Sequence, residues 1–259
     1  MKFKFIGCGS AFSTQEYYQS NIILEANSGK KMLIDCGTDA RFSTQEAGVS
    51  IDEIDAVYIS HLHADHVGGM EWLAYCTYFN PQLQRPKLYC VDTLMSEMWE
   101  QTLRGGLESI QGKMVTLTEF FDCKPVAIND SFIWEGIKFT PVQSVHIMAG
   151  MKIKHSYGLL IDDGNKVVFF TSDTQFCPNQ IQDFYNKAEL IFQDCETYPF
   201  KSGVHAHYDD LKTLSDDTKE KMWLYHYNPV HPQFDNADSE DSYLDGFAGY
   251  ITKGQEFNI

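Results

Sequence analysis

Apolar positions along the chain fall into short runs of period two, interleaved with longer stretches of helical period. Residues 1–7 alternate polar and apolar side chains and stop at glycine, as a first strand does. Two β-rich runs, 21–26 and 31–36, flank Asn27-Ser28-Gly29, which predicts a hairpin. Residues 38–48 predict a helix with Thr38 as its N-cap and Gly48 as its stop. A short buried strand follows over 55–60, then a helix over 67–79 ended by Asn80-Pro81. The pattern continues with a strand over 88–91, a helix over 93–103 and several short strands between 115 and 142. Strands over 157–162 and 166–171 flank Asp163-Gly164-Asn165, a second hairpin signal. The remaining chain reads as a helix over 179–186, a strand over 188–194, a helix over 209–214 and a strand over 222–226. Strands and helices arranged in two similar halves predict a layered α/β sandwich.

The densest chemistry lies where the strand over 55–60 gives way to a helix. His61, Leu62, His63, Ala64, Asp65 and His66 place three imidazoles and a carboxylate in one tight loop. Imidazole and carboxylate together suit Zn²⁺, and also Mn²⁺ or Fe. Three further ligand-type residues follow predicted strands: His146 after the strand over 139–142, Asp173 after 167–171, and His226 at the end of 222–225. Their recurrence at the C-terminal ends of strands is the position where a site on such a sheet usually sits.

Composition narrows the options. The chain has 259 residues, no Pro/Gly/Ser-rich linker and no repeat, so one domain spanning 1–259 is expected. Asp plus Glu total 36 against 20 Lys plus Arg, a net charge of −16. A protein that grips long nucleic acid needs basic surface to displace counterions from many phosphates. The densest basic piece here is Lys152-Ile153-Lys154-His155. A small anion held mainly by metal fits this balance better than a polynucleotide. Seven cysteines without CxxC spacing predict free thiols in a reducing compartment. With no signal-length or membrane-length apolar run, the expected location is the cytoplasm, that of the host if the protein is viral.

Taken together, HLHADH, the later His146, Ser172-Asp173-Thr174 and the late His226 resemble the metallo-β-lactamase-fold hydrolases. The likeness runs from Ile6-Gly7-Cys8-Gly9-Ser10-Ala11-Phe12, through the Leu33-Ile34-Asp35-Cys36-Gly37 motif that buttresses the metal loop, to residues 246–257. It implies a four-layer αββα sandwich and two divalent metal ions per chain, zinc first and manganese as the alternative. One ion would take His61, His63 and His146, the other Asp65, His66 and His226, with Asp173 bridging. Two metals about 3.5–4 Å apart can share a hydroxide nucleophile and clamp a substrate oxygen.

Within that fold the chain looks most like the tRNase Z-like phosphodiesterases. The resemblance puts Asp194 where that branch commonly has Glu, orienting His205 as general acid, with His207 close by and Asp65 also orienting the attacking water. The tRNA-processing members carry a long arm between the positions of His146 and Asp173; here only 26 residues lie between them. What remains is similar to compact cyclic-nucleotide phosphodiesterases of the anti-Pycsar type, which destroy cyclic pyrimidine-nucleotide signals such as cCMP and cUMP. The implied partners are a small nucleotide phosphodiester and a second copy of the chain, with neither membrane nor stable tRNA binding. Tyr17, with Phe12 and Tyr18, offers an aromatic face for a base, and Lys154 and His155, with Lys152, offer contacts to a phosphate. Trp72, Tyr75, Tyr78, Phe79 and Trp99 offer a dimer surface. Three other readings stand beside this one: a tRNase Z-like RNA 3′-processing endonuclease, a thioester or lactam hydrolase, and a catalytically silent, metal-bound nucleotide binder.

Overall fold

The computed structural model describes residues 1–228 and 244–259. Along the chain run β1 (Lys2–Phe5), β2 (Ile22–Glu25), β3 (Lys31–Ile34), α1 (Ala40–Glu46), β4 (Ile54–Tyr58), α2 (Ala64–Val67), α3 (Met70–Tyr78) and β5 (Lys87–Val91). Next come α4 (Asp92–Met98), α5 (Arg104–Leu107), the ribbon β6 (Ser109–Ile110) and β7 (Lys113–Met114), α6 (Leu117–Phe120) and β8 (Asp122–Val126). The second half holds β9 (Phe132–Trp134), β10 (Ile137–Ala149), β11 (Lys152–Asp162), β12 (Val167–Phe170), α7 (Pro178–Lys187) and β13 (Leu190–Asp194). It ends with α8 (Tyr208–Leu211), α9 (Asp216–Lys219), β14 (Met222–Tyr225), β15 (Gly249–Tyr250) and β16 (Glu256–Asn258).

Among the described residues these strands form two seven-stranded sheets, ordered β16-β1-β2-β3-β4-β5-β8 and β15-β14-β13-β12-β11-β10-β9. Successive side chains on a strand point to opposite faces, and the cores follow that alternation. Ile22 and Leu24 of β2, Met32 and Ile34 of β3, and Ala56 and Tyr58 of β4 meet Val168, Phe170 and Phe192 of the other sheet in a shared central core. The intervening Ile23, Leu33 and Val57 face outward against Ala40, Leu73, Ala74 and Leu94. On the far side, Phe169, Ile191 and Leu224 pack against Ile181 and Tyr185 of α7. The result is the αββα four-layer sandwich. β4 and β5, sandwiched between core and helices, are apolar on both faces, as buried parallel strands must be. Among the described residues no helix is long and apolar enough to cross a membrane.

Several expected elements differ. Thr38 does not cap α1: its hydroxyl donates to Gln19 Oε1 at 3.0 Å, and Asp39 stands at the cap position. The helix expected over 93–103 is α4, continued through a wider turn at Trp99–Leu103. A helical turn, α6, interrupts the region read as strands only. β11 begins at Lys152, five residues before the expected start. His146 does not follow a strand but lies inside the 13-residue β10. The β10–β11 ladder passes from Val145↔His155 to Ile147↔Lys154, so His146 is the residue it skips. A bulge of this kind re-aims a side chain. Trp72, Tyr75, Tyr78 and Trp99 pack against the helix-side core, while Phe79 is 64% exposed.

Candidate metal centre

The HLHADH loop is fixed from below by the turn after β3. Asp35 accepts the Ser60 backbone N–H on Oδ1 at 2.8 Å and the Ser60 hydroxyl on Oδ2 at 2.7 Å. Its Oδ2 also accepts Nδ1–H of His66 at 2.8 Å. That bond sets the tautomer and leaves His66 Nε2 to serve as a ligand atom. Contact between the two segments is so close that only glycine fits. A Cβ on Gly37 would lie 2.2 Å from the Asp65 carbonyl oxygen, and one on Gly69 would lie 2.3 Å from that of Gly37.

Three strands of the second sheet supply the remaining groups: His146 at the bulge within β10, Asp173 after β12 and His226 after β14. Two sets of donor atoms result, His61/His63/His146/Asp173 and Asp65/His66/Asp173/His226, each with its ligand atoms within 4.8 Å of one another. Asp173 straddles them. Its Oδ2 lies 3.5 Å from His61 Nε2 and 3.8 Å from His146 Nε2, and its Oδ1 lies 3.3 Å from His66 Nε2 and 3.5 Å from His226 Nε2.

The residues fit divalent metal. His63 Nδ1 faces both His61 Nε2 (3.1 Å) and His146 Nε2 (3.0 Å), an arrangement that suits three lone pairs converging on a cation. Among the described residues, buried His66 Nε2 and Asp173 Oδ1 have no hydrogen-bond partner. Buried polar atoms are costly when unpaired, so convergent ones point to a ligand.

The two sets differ electrostatically. Burial, above all, holds His61, His63 and His146 below the usual imidazole value, which favours the neutral form that a metal ligand requires. In the other set burial opposes charge, and the carboxylates win. Asp173 and Asp65 carry His66 well above its usual value, and Asp173 with Asp194 and Asp65 carries His226 up to about 10. Asp65 and Asp173, although burial would raise them, are held well below the usual carboxylate range by the facing imidazoles.

Behind the cluster stands Asp194, fully buried at the end of β13. Its Oδ2 accepts His205 Nδ1–H at 2.9 Å and the Thr174 backbone N–H at 2.9 Å, while Oδ1 lies 3.3 Å from His226 Nδ1. The shorter Asp side chain therefore reaches the histidine that the resemblance implied for a Glu. Burial would lower His205, but the Asp194 and Asp173 charges raise it above its ordinary value.

Two clefts flank His63. One, of about 460 Å³, is lined by His61, His146, Lys152, Lys154, His155 and Tyr157. The other, of about 340 Å³, is lined by Asp65, Asp173, His205 and His226, with Phe12, Tyr198, Phe200 and Asn228 along its walls. Lys154, His155 and Phe12 thus lie beside the cluster. Tyr17 and His207, expected to contact substrate, line neither cleft. Tyr17 packs edge-on against Tyr227 at 6.1 Å beside the central core. His207 caps α8: Nε2–H donates to the Tyr198 carbonyl at 2.8 Å, and Nδ1 accepts the Asp209 N–H at 3.1 Å. Tyr18 is buried beneath Lys253. Sequence reasoning missed Tyr198, Phe200 and Asn228. Their only signal was proximity to Asp194 and His226 in the chain. It also missed the Val204 carbonyl, which accepts His146 Nδ1–H at 2.9 Å and carries no side-chain signal at all.

Comparison with known proteins agrees with this fold. A family model described as anti-Pycsar protein Apyc1 matches residues 1–257. The anti-Pycsar protein Apyc1 of Paenibacillus harenae is 34% identical over 236 residues, covering 90% of this chain and 92% of that one. That of Bacillus phage vB_BveM-Goe7 is 30% identical over 243 residues, covering 90% and 91%. Among solved structures, the metallo-β-lactamase-fold protein YhfI from Bacillus subtilis superposes with a TM-score of 0.77 at 18% identity, covering 99% of both chains.

Proposed function

The chain belongs to the anti-Pycsar protein Apyc1 family, on the metallo-β-lactamase fold, and from that premise we propose that it is a metal-dependent phosphodiesterase of 3′,5′-cyclic mononucleotides, cCMP and cUMP among them. The observation that carries the reading is Asp173, whose two oxygens divide between two ligand sets, with the Asp194–His205 pair alongside. His61, His63, His146 and Asp173 would hold one divalent ion, and Asp65, His66, Asp173 and His226 the other, with zinc the first choice. Such a pair, when bound, lowers the pKa of water and offsets charge on phosphoryl oxygens.

The chain's own groups supply the rest. Asp65 keeps its carboxylate ionised and can orient a water through an acceptor oxygen. Asp194 holds His205 by Nδ1, which leaves Nε2 as the atom available to a substrate. A raised imidazole holds its proton to higher pH than a free one and can deliver it from Nε2 to the ester oxygen as the P–O bond breaks, while water supplies the new oxygen on phosphorus. Hydrogen bonding to a buried carboxylate fixes the ring in one orientation, so no reorganisation is needed for the transfer.

A macromolecular substrate fits less well. The 26 residues between His146 and Asp173 are taken up by the β10–β11 hairpin and β12, leaving no arm to grip tRNA. The acidic balance supports the same choice. The test is to incubate metal-loaded protein with a panel of 3′,5′-cyclic mononucleotides and with precursor tRNA, metal content being measured on the same sample. Turnover of cyclic nucleotides alone is expected. No turnover of any of them sinks the proposal, and Asp65→Ala should cost at least about a thousandfold, which a silent nucleotide binder would not show. We also propose a homodimer, which sedimentation would reveal as twice the 29.6 kDa chain mass.

A further inference from the structure

We propose that the base of the substrate seats in the cleft lined by Phe12, Tyr198 and Phe200, stacked on the Phe200 ring with its edge toward Asn228. This rests on the cyclic-nucleotide reading and adds the side of the metal cluster on which the nucleoside lies.

The choice between the two clefts follows from His205. Its Nδ1 is committed to Asp194, and its ring lines only the smaller cleft. In a 3′,5′-cyclic mononucleotide both ester oxygens belong to one ribose. Whichever of them takes the His205 proton, the nucleoside must therefore lie on the His205 side of the phosphorus. A cleft of about 340 Å³ is at the small end of ligand sites and suits a mononucleotide.

The walls there suit a flat apolar ring. Phe200 is 66% exposed and Phe12 is 81% exposed, although both line a cleft that reaches the metal ligands. Phe200 stacks on Tyr198 with ring centroids 5.5 Å apart and planes 14° from parallel. Tyr198 is held in turn by its carbonyl, which accepts Nε2–H of buried His207. The Tyr198–Phe200 stack is thus already formed without a base, which reduces the ordering cost of binding. Stacking on such a ring is sequence-tolerant, because every base has a π-face.

Asn228 supplies the polar contact at the floor. Its backbone N–H donates to Thr197 Oγ1 at 3.1 Å, its carbonyl accepts the Thr197 hydroxyl at 3.1 Å, and its Nδ2 donates to Ser10 Oγ at 2.9 Å. The residue, through backbone to Thr197 and side chain to Ser10, therefore joins the segment that carries Tyr198 to the loop that carries Phe12. Among the described residues Oδ1 accepts no hydrogen bond, so it remains for a ring N–H or exocyclic amino group. Each of the four bases offers one on its edge. The pocket is accordingly built to accept bases broadly.

The experiment compares kcat and KM of the metal-loaded protein for cCMP and for ribose 3′,5′-cyclic phosphate, the same diester without a base. Wild type should favour cCMP. Phe200→Ala should raise KM for cCMP about tenfold with a much smaller change in kcat, and should nearly erase the preference over the abasic diester. Phe200→Trp should restore it, and Phe12→Ala should act in the same direction. If wild type turns over cCMP but Phe200→Ala and Phe12→Ala both leave the preference intact, or lower both substrates equally, the base lies elsewhere and this inference falls alone. If wild type turns over no cyclic nucleotide, the phosphodiesterase reading falls and takes the inference with it.

Discussion

Asp194 divides its two oxygens between two imidazoles, one reaching the ligand His226 and the other His205. The division gives a prediction at the scale of single residues. His205 sits above its ordinary value, against the effect of burial, because of the Asp194 and Asp173 charges. A general acid works while protonated, so kcat should fall as pH rises through the His205 value. His205→Asn should lose about 10²–10⁴ in kcat and abolish that alkaline limb. Asp194→Asn removes the charge that raises His205, so its alkaline limb should move to lower pH. A pH–rate profile of the three proteins, each at full metal occupancy, checks this. An unmoved limb in Asp194→Asn would show that the pair does not set the proton. The identities of these groups were legible because HLHADH is dense and local and the distant ligands each follow or interrupt an apolar run. Their roles were less legible. His205 and His207 differ by two positions in the chain, yet one lines the cleft and the other caps a helix, and only the path of the loop decides which.

At the scale of elements, each inner strand serves two cores at once, and β13 shows the cost of disturbing one. Phe192 is fully buried and meets Phe3, Phe5 and Phe257 with ring centroids 5.3, 4.9 and 4.9 Å apart, edge to face. It joins strands of both sheets two residues before Asp194. Phe192→Ala should destabilise the fold by about 3–5 kcal/mol, read as a shift in the denaturant midpoint at constant slope. A loss under about 1 kcal/mol would mean that the sheets are held together elsewhere. The strands themselves were readable from period-two alternation, and both hairpins from their Asn-Ser-Gly and Asp-Gly-Asn turns. The bulge at His146 was not, because alternation looks the same on either side of a skipped residue. The true length of β11 escaped notice for a related reason: Lys152-Ile153-Lys154-His155 is polar enough to read as loop, and its strand character comes from pairing with β10. Of the seven described non-glycine residues with positive φ, three lie at the ligand cluster. Asp35, Ser172 and His226 have φ of 60°, 54° and 63°, a left-handed conformation that costs of order 1–3 kcal/mol at each non-glycine position. Such values persist where surrounding contacts over-determine them, here around the ligand cluster.

At the scale of the whole molecule, the net charge of −16 makes a histidine cluster with four carboxylates around it, Asp35, Asp65, Asp173 and Asp194, a matter of stability as well as chemistry. In the metal-free protein His66 and His226 are raised above their unfolded value, His226 to about 10. Stability from a raised group is fully present below the unfolded value, near 6.5, and is lost as pH rises through the folded one. The chelated protein should therefore lose melting temperature between pH 7 and 10. The metal-loaded protein should hold it over the same range, because a bound cation replaces the protons as counter-charge to Asp65 and Asp173. Thermal melts with and without chelator across that range check the sign. Parallel curves would show that the cluster does not bind metal in the folded protein. The fold class was legible at this scale from strand–helix alternation. The short stretch between His146 and Asp173 was legible as a count, and the resemblance supplied the arm with which to compare it.

The ligand sets also have an order in time. Four of the seven ligands have been made once the chain reaches His66, yet neither set is complete then. The set with His61, His63 and His146 closes only when Asp173 emerges, and the set with Asp65 and His66 must wait for His226. Because the early ligands and the late ones belong to different sheets, a growing chain presents no full site until its two halves have met. On the proposed two-ion reading, metal capture by the second set would wait until His226 has been made, and an ion seated there would certify that the sandwich has closed.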